Sequence, residues 1–362
     1  MRVVTFRGVD LFCGGGGSSW GARRAGIEMV GAVDAWDIAA QTYKDNFPDA
    51  KVLNTRLDAD TGAKIFGKIG QVDVLIGSPE CTNHSIARGS RPRDEESQRS
   101  GTYVLRFLRE LLPRWVVLEN VHLMKSWNGY DDLLADLDRL GYNLRQQTLD
   151  ASSFGVPQNR RRLFIMGDRE GKPPKIEPLG TEPLSVADIL DPPGTWRCKP
   201  VYIPKRASAT LERVERGIAA LGEGVDFLVV YYSSDRAGGW QPLNRPLRTM
   251  TTLDRFGLVQ WIDGEPMFRM LQVPELQRAM GLPKAFRLRH GTRRDKIRIL
   301  GNGVCAPVMQ HVLSALTKNP STRHERGIDR SGNSIESRLR PAPSPVAWAK
   351  GARLIRSRRL AL

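Results

Sequence analysis

The sequence has few cysteines, and no two of them are close together. The thiols fall at positions 13, 81, 198 and 305. No Cys-x-x-Cys metal knuckle can be built from them, and a disulfide framework has no support, so each thiol must be judged on its own surroundings. The chain also lacks any run near the roughly 18 consecutive apolar residues of a membrane helix. Its opening stretch, MRVVTFRGVDLF, has no signal-peptide layout and reads as a first strand. A soluble, cytoplasmic, monomeric protein is expected, with no membrane or metal partner. Internal repeats are absent. Acidic residues are in short supply: 55 Lys and Arg stand against 39 Asp and Glu, a net charge of +16. Half of that excess lies in residues 318–362, which hold 11 basic and 3 acidic residues. Such a balance suits a polyanionic partner, most often nucleic acid. From Asn319 the chain is polar, Arg-rich and punctuated by proline, and 319–362 is expected to be disordered.

What the first 170 residues do have is alternation. Short apolar runs (VVTFRGVDLF, EMVGAVDA, VDVLIG, WVVLENV, YNLRQQTLDA, RRLFIMGDR) read as strands. Amphipathic stretches between them (SSWGARRAG, DIAAQTYKDNF, GTYVLRFLRELL, YDDLLADLDRLG) read as helices. Near-continuous apolar strands alternating with helices predict a doubly wound α/β sheet. Near residue 172 the texture becomes rich in Pro and Gly and reads as a linker with one short helix. Residues 195–265 are mixed, with β-like runs DFLVVYY and FGLVQWI. PELQRAMGLP (274–283) reads as a capped helix, and KIRILGNGV followed by CAPVMQHVLSALTK as strand, turn and helix.

Three places carry chemistry. DLFCGGGGSSWG (Asp10 to Gly21) puts four consecutive glycines between a strand and a helix. The G-x-G-x-x-G spacing fails, and so does the phosphate loop for want of Gly-Lys-Ser/Thr, which leaves a nucleoside-type ligand without pyrophosphate. Asp34, at the tip of the second strand, is placed to accept both hydroxyls of a ribose. Asp58 and Asp60 follow a third strand placed between EMVGAVDA and VDVLIG, and are alternatives for an adenine amino group. Cys81, in GSPECTNHS, follows the fourth strand, where open α/β sheets form their ligand crevice. Glu119, in ENV, ends the fifth strand; a buried acid there is costly unless it is functional or paired. QNRRRLF sets Arg160 and Arg162 on one face of a strand. A thiol, an acid and two guanidiniums at sheet edges suit attack on an electron-poor ring.

With these motifs in order, the sequence resembles the S-adenosylmethionine-dependent DNA (cytosine-5)-methyltransferases over about residues 1–317. DLFCGGGG, SPEC, ENV, QNRRRLF, RPLRTMTT, PELQRAMGLP and GNGV (Gly301 to Val304) are similar to that family's successive motifs. The resemblance implies a class I, Rossmann-like methyltransferase fold. A catalytic and cofactor domain would span 1–172 plus about 295–318, and a small target-recognition domain 173–294. It implies S-adenosyl-L-methionine, or a derivative, held by Phe12, Gly14, Gly15, Gly17, Asp34, Asn302 and Val304. It implies covalent catalysis on a cytosine flipped out of duplex DNA: Cys81 attacks C6, Glu119 hydrogen-bonds N3 and N4, Arg162 holds O2, and Arg160 sits near the nucleophile and backbone.

The motif departs from the family pattern where Glu80, rather than Pro, precedes the cysteine. A second departure follows the ribose acid, where Ala35 and then Trp36 stand in place of an immediate aromatic. Residues 82–101 form a polar loop expected to close over the base, with Ser85, Arg88, Arg91 and Arg93 contacting DNA. Base reading is expected from about 195–243, with Arg236 and Gln241 as readers, which predicts a short recognition site. Two alternatives use the same motifs: methylation of tRNA cytosine, and transfer of a modified group from the carboxy form of the cofactor.

Overall fold

A computed structural model describes residues 5–79, 95–232 and 238–318 of the chain. The first half forms one seven-stranded sheet in the order β3-β2-β1-β4-β5-β7-β6. Its strands are β1 (Phe6–Leu11), β2 (Ile27–Asp34), β3 (Lys51–Asn54), β4 (Val74–Gly77), β5 (Trp115–Asn120), β6 (Asn143–Asp150) and β7 (Arg161–Asp168). β1 to β5 pair in parallel, and β7 lies antiparallel between β5 and β6. β4 and β5 are buried at every residue, as strands covered on both faces require. Helices α1 (Gly17–Arg24), α2 (Asp37–Asn46), α3 (Glu95–Leu111) and α4 (Tyr130–Arg139) connect them. The strand order reverses between β1 and β4, so the chain leaves their carboxyl ends in opposite directions and opens a crevice there. The doubly wound mixed sheet expected from the sequence is the fold observed.

The second half holds a five-stranded sheet, β10-β9-β11-β12-β8, built from β8 (Lys199–Pro200), β9 (Phe227–Val230), β10 (Trp240–Pro242), β11 (Phe256–Ile262) and β12 (Glu265–Met270). Its pairings are all antiparallel. Helix α5 (Ser208–Leu221) packs on β9 and β10. Leu211, Val214, Ile218 and Leu221 give it an apolar stripe at helical spacing, a signal that the mixed texture of the region had hidden. Helices α6 (Val273–Arg278), α7 (Arg293–Asn302) and α8 (Ala306–Lys318) follow.

Two expectations need correction. KIRIL does not form a strand: it lies inside α7. Ile297 and Ile299 mimic strand alternation, but Thr292 and Asp295 make a reciprocal capping box, and Ile297, Leu300 and Gly301 are buried at helical spacing. The polar loop expected over 82–101 also ends early, since α3 begins at Glu95. The stretch Arg293–Lys318 is long and apolar enough to cross a membrane by length and composition, and 61% of its apolar window is buried inside the protein. α8 packs against α1. This returns the end of the described chain to its first strand and helix, as the placing of Asn302 and Val304 in a cofactor site requires.

Candidate active site

The crevice at the carboxyl ends of β1, β2, β4 and β5 contains a cavity of about 490 Å³. Phe12, Gly14, Gly17, Asp34, Asn302 and Val304 line it, and so do Glu119, Arg160 and Arg162. Gly15 does not line it: a Cβ there would stand 2.6 Å from Ile299 Cγ2, so this glycine serves the packing beneath.

The loop after β1 is shaped by close approach. A Cβ on Gly17 would stand 2.5 Å from Val304 O, so only glycine lets the start of α1 meet the 301–304 turn. Phe12, a non-glycine residue, takes a φ of 57°, an uncommon conformation of the kind that clusters at ligand sites. Asp34 is fixed from both sides: Gly14 N donates to Oδ2 at 2.8 Å and Trp36 N to Oδ1 at 2.9 Å. Beneath the loop lies Asp10, fully buried, whose Oδ2 accepts from Ser18 Oγ at 2.7 Å and Ser19 Oγ at 2.6 Å. Burial pushes its pKa up to about 7; the two serine hydroxyls oppose this and the Asp34 charge adds to it.

The reactive end is built on β4, β5 and β7. Glu119 is 6% exposed, and Arg162 Nε stands 3.2 Å from its Oε1. That contact is an ion pair rather than an aligned hydrogen bond, because Oε1 has no hydrogen-bond partner among the described residues. Burial holds the Glu119 carboxyl above its ordinary pKa despite the opposing charges of Arg162 and Arg160. Asn120, the next residue, donates from Nδ2 to Pro79 O at 3.0 Å. It thereby anchors the strand exit that leads to Cys81. Ser78 Oγ is buried nearby without a partner among the described residues. Cys13 and Cys305 are buried. Burial drives the Cys13 thiol well above its usual pKa and the Cys305 thiol to about 11, so neither is a ready nucleophile.

Cys81, Ser85, Arg88, Arg91, Arg93 and Arg236 lie outside the described residues, as does the tail 319–362. Two further expectations differ from what is seen. Gln241 is 3% exposed; its Nε2 donates to Pro246 O at 2.8 Å and its Oε1 accepts from Arg248 N at 3.3 Å. Its amide shapes the turn after β10 and is not presented to a base. Neither Asp58 nor Asp60 lines the cavity. Asp58 Oδ1 instead accepts from Asp60 N at 3.0 Å and from Thr61 N at 2.8 Å. Arg160 lines the cavity and gives its guanidinium to three main-chain carbonyls.

The structure also adds residues that were not selected from the sequence. Trp36, Arg56 and Arg298 line the cavity beside Asp34, and the Arg298 guanidinium lies 4.4 Å from the centre of the Trp36 ring. The Asp-x-Trp spacing was legible as a signal for Trp36; Arg298 arrives only through the fold-back of α7.

Residues 6–318 match the family model described as C-5 cytosine-specific DNA methylase. The chain is 33% identical over 261 residues to the Type II methyltransferase M.HgiDI of Herpetosiphon aurantiacus, covering 67% of this chain and 79% of that protein. It is 37% identical over 177 residues to M.AgeI of Thalassovita gelatinovora, covering 47% of this chain and 41% of that protein. Against M.HindV of Haemophilus influenzae the match is 28% over 85% of this chain and 95% of that protein. The chain thus spans less than half of M.AgeI and most of the other two. Among solved structures, Entamoeba histolytica EhMeth superposes with a TM-score of 0.64 at 16% identity, over 87% of this chain and 98% of that one. Spodoptera frugiperda DNMT2 does so with a TM-score of 0.64 at 18% identity, over 87% and 100%. At those identities the likeness speaks for the fold alone.

Proposed function

The chain belongs to the C-5 cytosine-specific DNA methylase family, and on that premise we propose that it transfers a methyl group from S-adenosyl-L-methionine to C5 of a cytosine flipped out of duplex DNA. The observation that carries the reading is one cavity lined by two chemically different sets of residues. A ribose-type acceptor, Asp34, stands beside a glycine cradle, and the buried acid Glu119 stands beside Arg162. The residues fit the cofactor. Gly14 borders open space, with nothing within 4 Å of a Cβ placed there, and Asp34 is locked in place to accept hydroxyls. Phe12, Gly14, Gly17, Asp34, Asn302 and Val304 would hold it, with Trp36 offering a stacking face. When bound, the cofactor supplies an activated methyl group.

The protein's own residues do the rest. The Cys81 thiolate adds to C6 of the cytosine. Glu119 holds a proton at the N3 edge, which draws electrons from C6 and makes it electrophilic. Burial holds the Glu119 carboxyl above its usual pKa, which makes it hold a proton more tightly than an exposed carboxylate would. Arg162 orients the ring at O2 and keeps Glu119 turned toward the cavity. After C5 is substituted, a base removes the C5 proton, and the electron pair expels Cys81 by β-elimination. Residues 1–172 with 295–318 form the catalytic part, and 173–294, carrying the second sheet, form the target-recognition part. The match to a DNA methylase family model and to Type II methyltransferases favours duplex DNA over tRNA as substrate. A cytoplasmic protein that reaches the nucleoid follows from that substrate.

The test is incubation with S-adenosylmethionine and duplex DNA carrying 5-fluorocytosine, whose C5 fluorine cannot be removed as a proton after methyl transfer. An SDS-stable adduct is expected with the wild type and none with Cys81→Ser. Mass spectrometry of normal DNA should show a methyl group on cytosine. A carboxymethyl group, or modification of tRNA in place of DNA, would overturn the corresponding part of the reading.

A further inference from the structure

One guanidinium lies where the cofactor wall meets the segment that leads to the second sheet. Arg160 is 3% exposed. Its Nη1 donates to Met250 O at 3.0 Å, and its Nη2 donates to Gly301 O at 2.8 Å and Gly303 O at 2.9 Å. The last two carbonyls bracket Asn302, and 301–304 form one wall of the cavity. The junction has no slack: a Cβ on Gly301 would stand 2.1 Å from Thr251 O and 2.8 Å from Thr252 N. Gln158 holds the same segment from its other edge, its Oε1 accepting from Met250 N at 2.9 Å while its Nε2 donates to Ala279 O at 2.8 Å. The Arg160 main chain is itself held, its N–H donating to Asp150 Oδ1 at 2.9 Å.

A guanidinium is a planar fork of fixed geometry, and an ammonium is a single point of charge. Three carbonyls from two distant segments, gathered by one fork, fix the position of the 301–304 backbone relative to 250–252. Arg162, two residues further on, is the arginine that faces the acid.

We propose that Arg160 is a positioning residue that fastens the cofactor-lining turn 301–304 to Met250 and acts through that turn, not on the base. The inference rests on the reading of the cavity as the S-adenosylmethionine site.

The experiment measures Arg160→Lys in the full-length protein by calorimetric titration with S-adenosylhomocysteine and by steady-state methyl transfer. Losing a charge-assisted hydrogen bond that holds the turn should weaken cofactor affinity by at least ~10-fold. Turnover at saturating cofactor should stay within ~3-fold, because the chemical step is untouched. Gly301→Ala disturbs the same junction from the other side and should show the same split. Combined with Arg160→Lys it should cost less than the product of the two single effects. If Arg160→Lys lowers the melting temperature too far to assay, Gly301→Ala carries the test alone. Unchanged cofactor affinity with a turnover loss above ~100-fold, the range of a group acting on the reacting base, would overturn the proposal. A wild-type protein that binds no S-adenosylhomocysteine would remove the cofactor reading beneath it.

Discussion

Asp10→Asn tests how the glycine loop is supported from below. Asp10 is fully buried, and while Oδ2 accepts from two serine hydroxyls, Oδ1 has no hydrogen-bond partner among the described residues. Burial raises its pKa from 3.8 to about 7. A carboxyl whose folded pKa lies above its unfolded value favours the fold only while protonated. Its stabilising contribution is therefore fully present below about pH 4 and is lost as the pH rises to about 7. The shift from 3.8 to about 7 corresponds to about 4 kcal/mol over the whole window, at about 1.4 kcal/mol per unit. Integrating the linkage relation, roughly 2–3 kcal/mol of this falls between pH 5 and pH 8. Asparagine keeps the shape and one acceptor for the serines but cannot ionise. The stability difference between variant and wild type should therefore move in the variant's favour by roughly 2–3 kcal/mol across that range, or about 5 °C in Tm. Glu119 is also held up by burial, but it titrates in both proteins and cancels from the difference. Paired denaturant melts at several pH values between 5 and 8 measure it. Because only the slope is compared, any fixed cost of the asparagine amide drops out. Parallel curves for the two proteins would refute the claim that Asp10 is buried as a neutral acid.

Three further outcomes are expected. Glu119→Gln should lower turnover by about 10²- to 10⁴-fold, the range for a proton-handling group, with S-adenosylhomocysteine affinity nearly unchanged; loss of cofactor binding in calorimetry would make Glu119 a cofactor or packing residue. Deleting 319–362, where much of the basic excess lies, should flatten the salt dependence of DNA binding by about 0.9 in the log–log slope for each phosphate that the tail neutralises; an identical slope would show that the tail does not meet DNA. Glu275→Gln should be severe, because Arg269 donates to Glu275 at 2.7 Å through both Nη atoms and the two side chains are 4% and 0% exposed. Breaking a buried pair from one side costs about 3–5 kcal/mol, and a melting temperature that does not fall would show that the pair is not structurally required.

The sequence by itself determined the first sheet, because parallel strands covered on both faces are written as apolar runs and the helices between them as a 3.6-residue period. It also pointed to the candidate acid, because Glu119 lies at the carboxyl end of β5, which borders the crevice; the candidate nucleophile Cys81 lies outside the described residues. It placed Asp34, because a strand tip beside a glycine loop has one geometry. What it could not determine is where long side chains spend their donors. Arg160 and Arg162 share a motif, one just before β7 and one within it, yet the first is consumed by three carbonyls and the second turns to Glu119. Only the arrival of 250 and 301–303 beside them decides this. Gln241 looked free to read a base until the turn after β10 claimed both ends of its amide. Arg298 carries no local signal at all; it faces Trp36 because α7 folds back across the sheet. Local periodicity fixes which elements form and which face they bury. The partners of a polar side chain depend on segments far away in sequence, and those meet only when the tertiary structure closes.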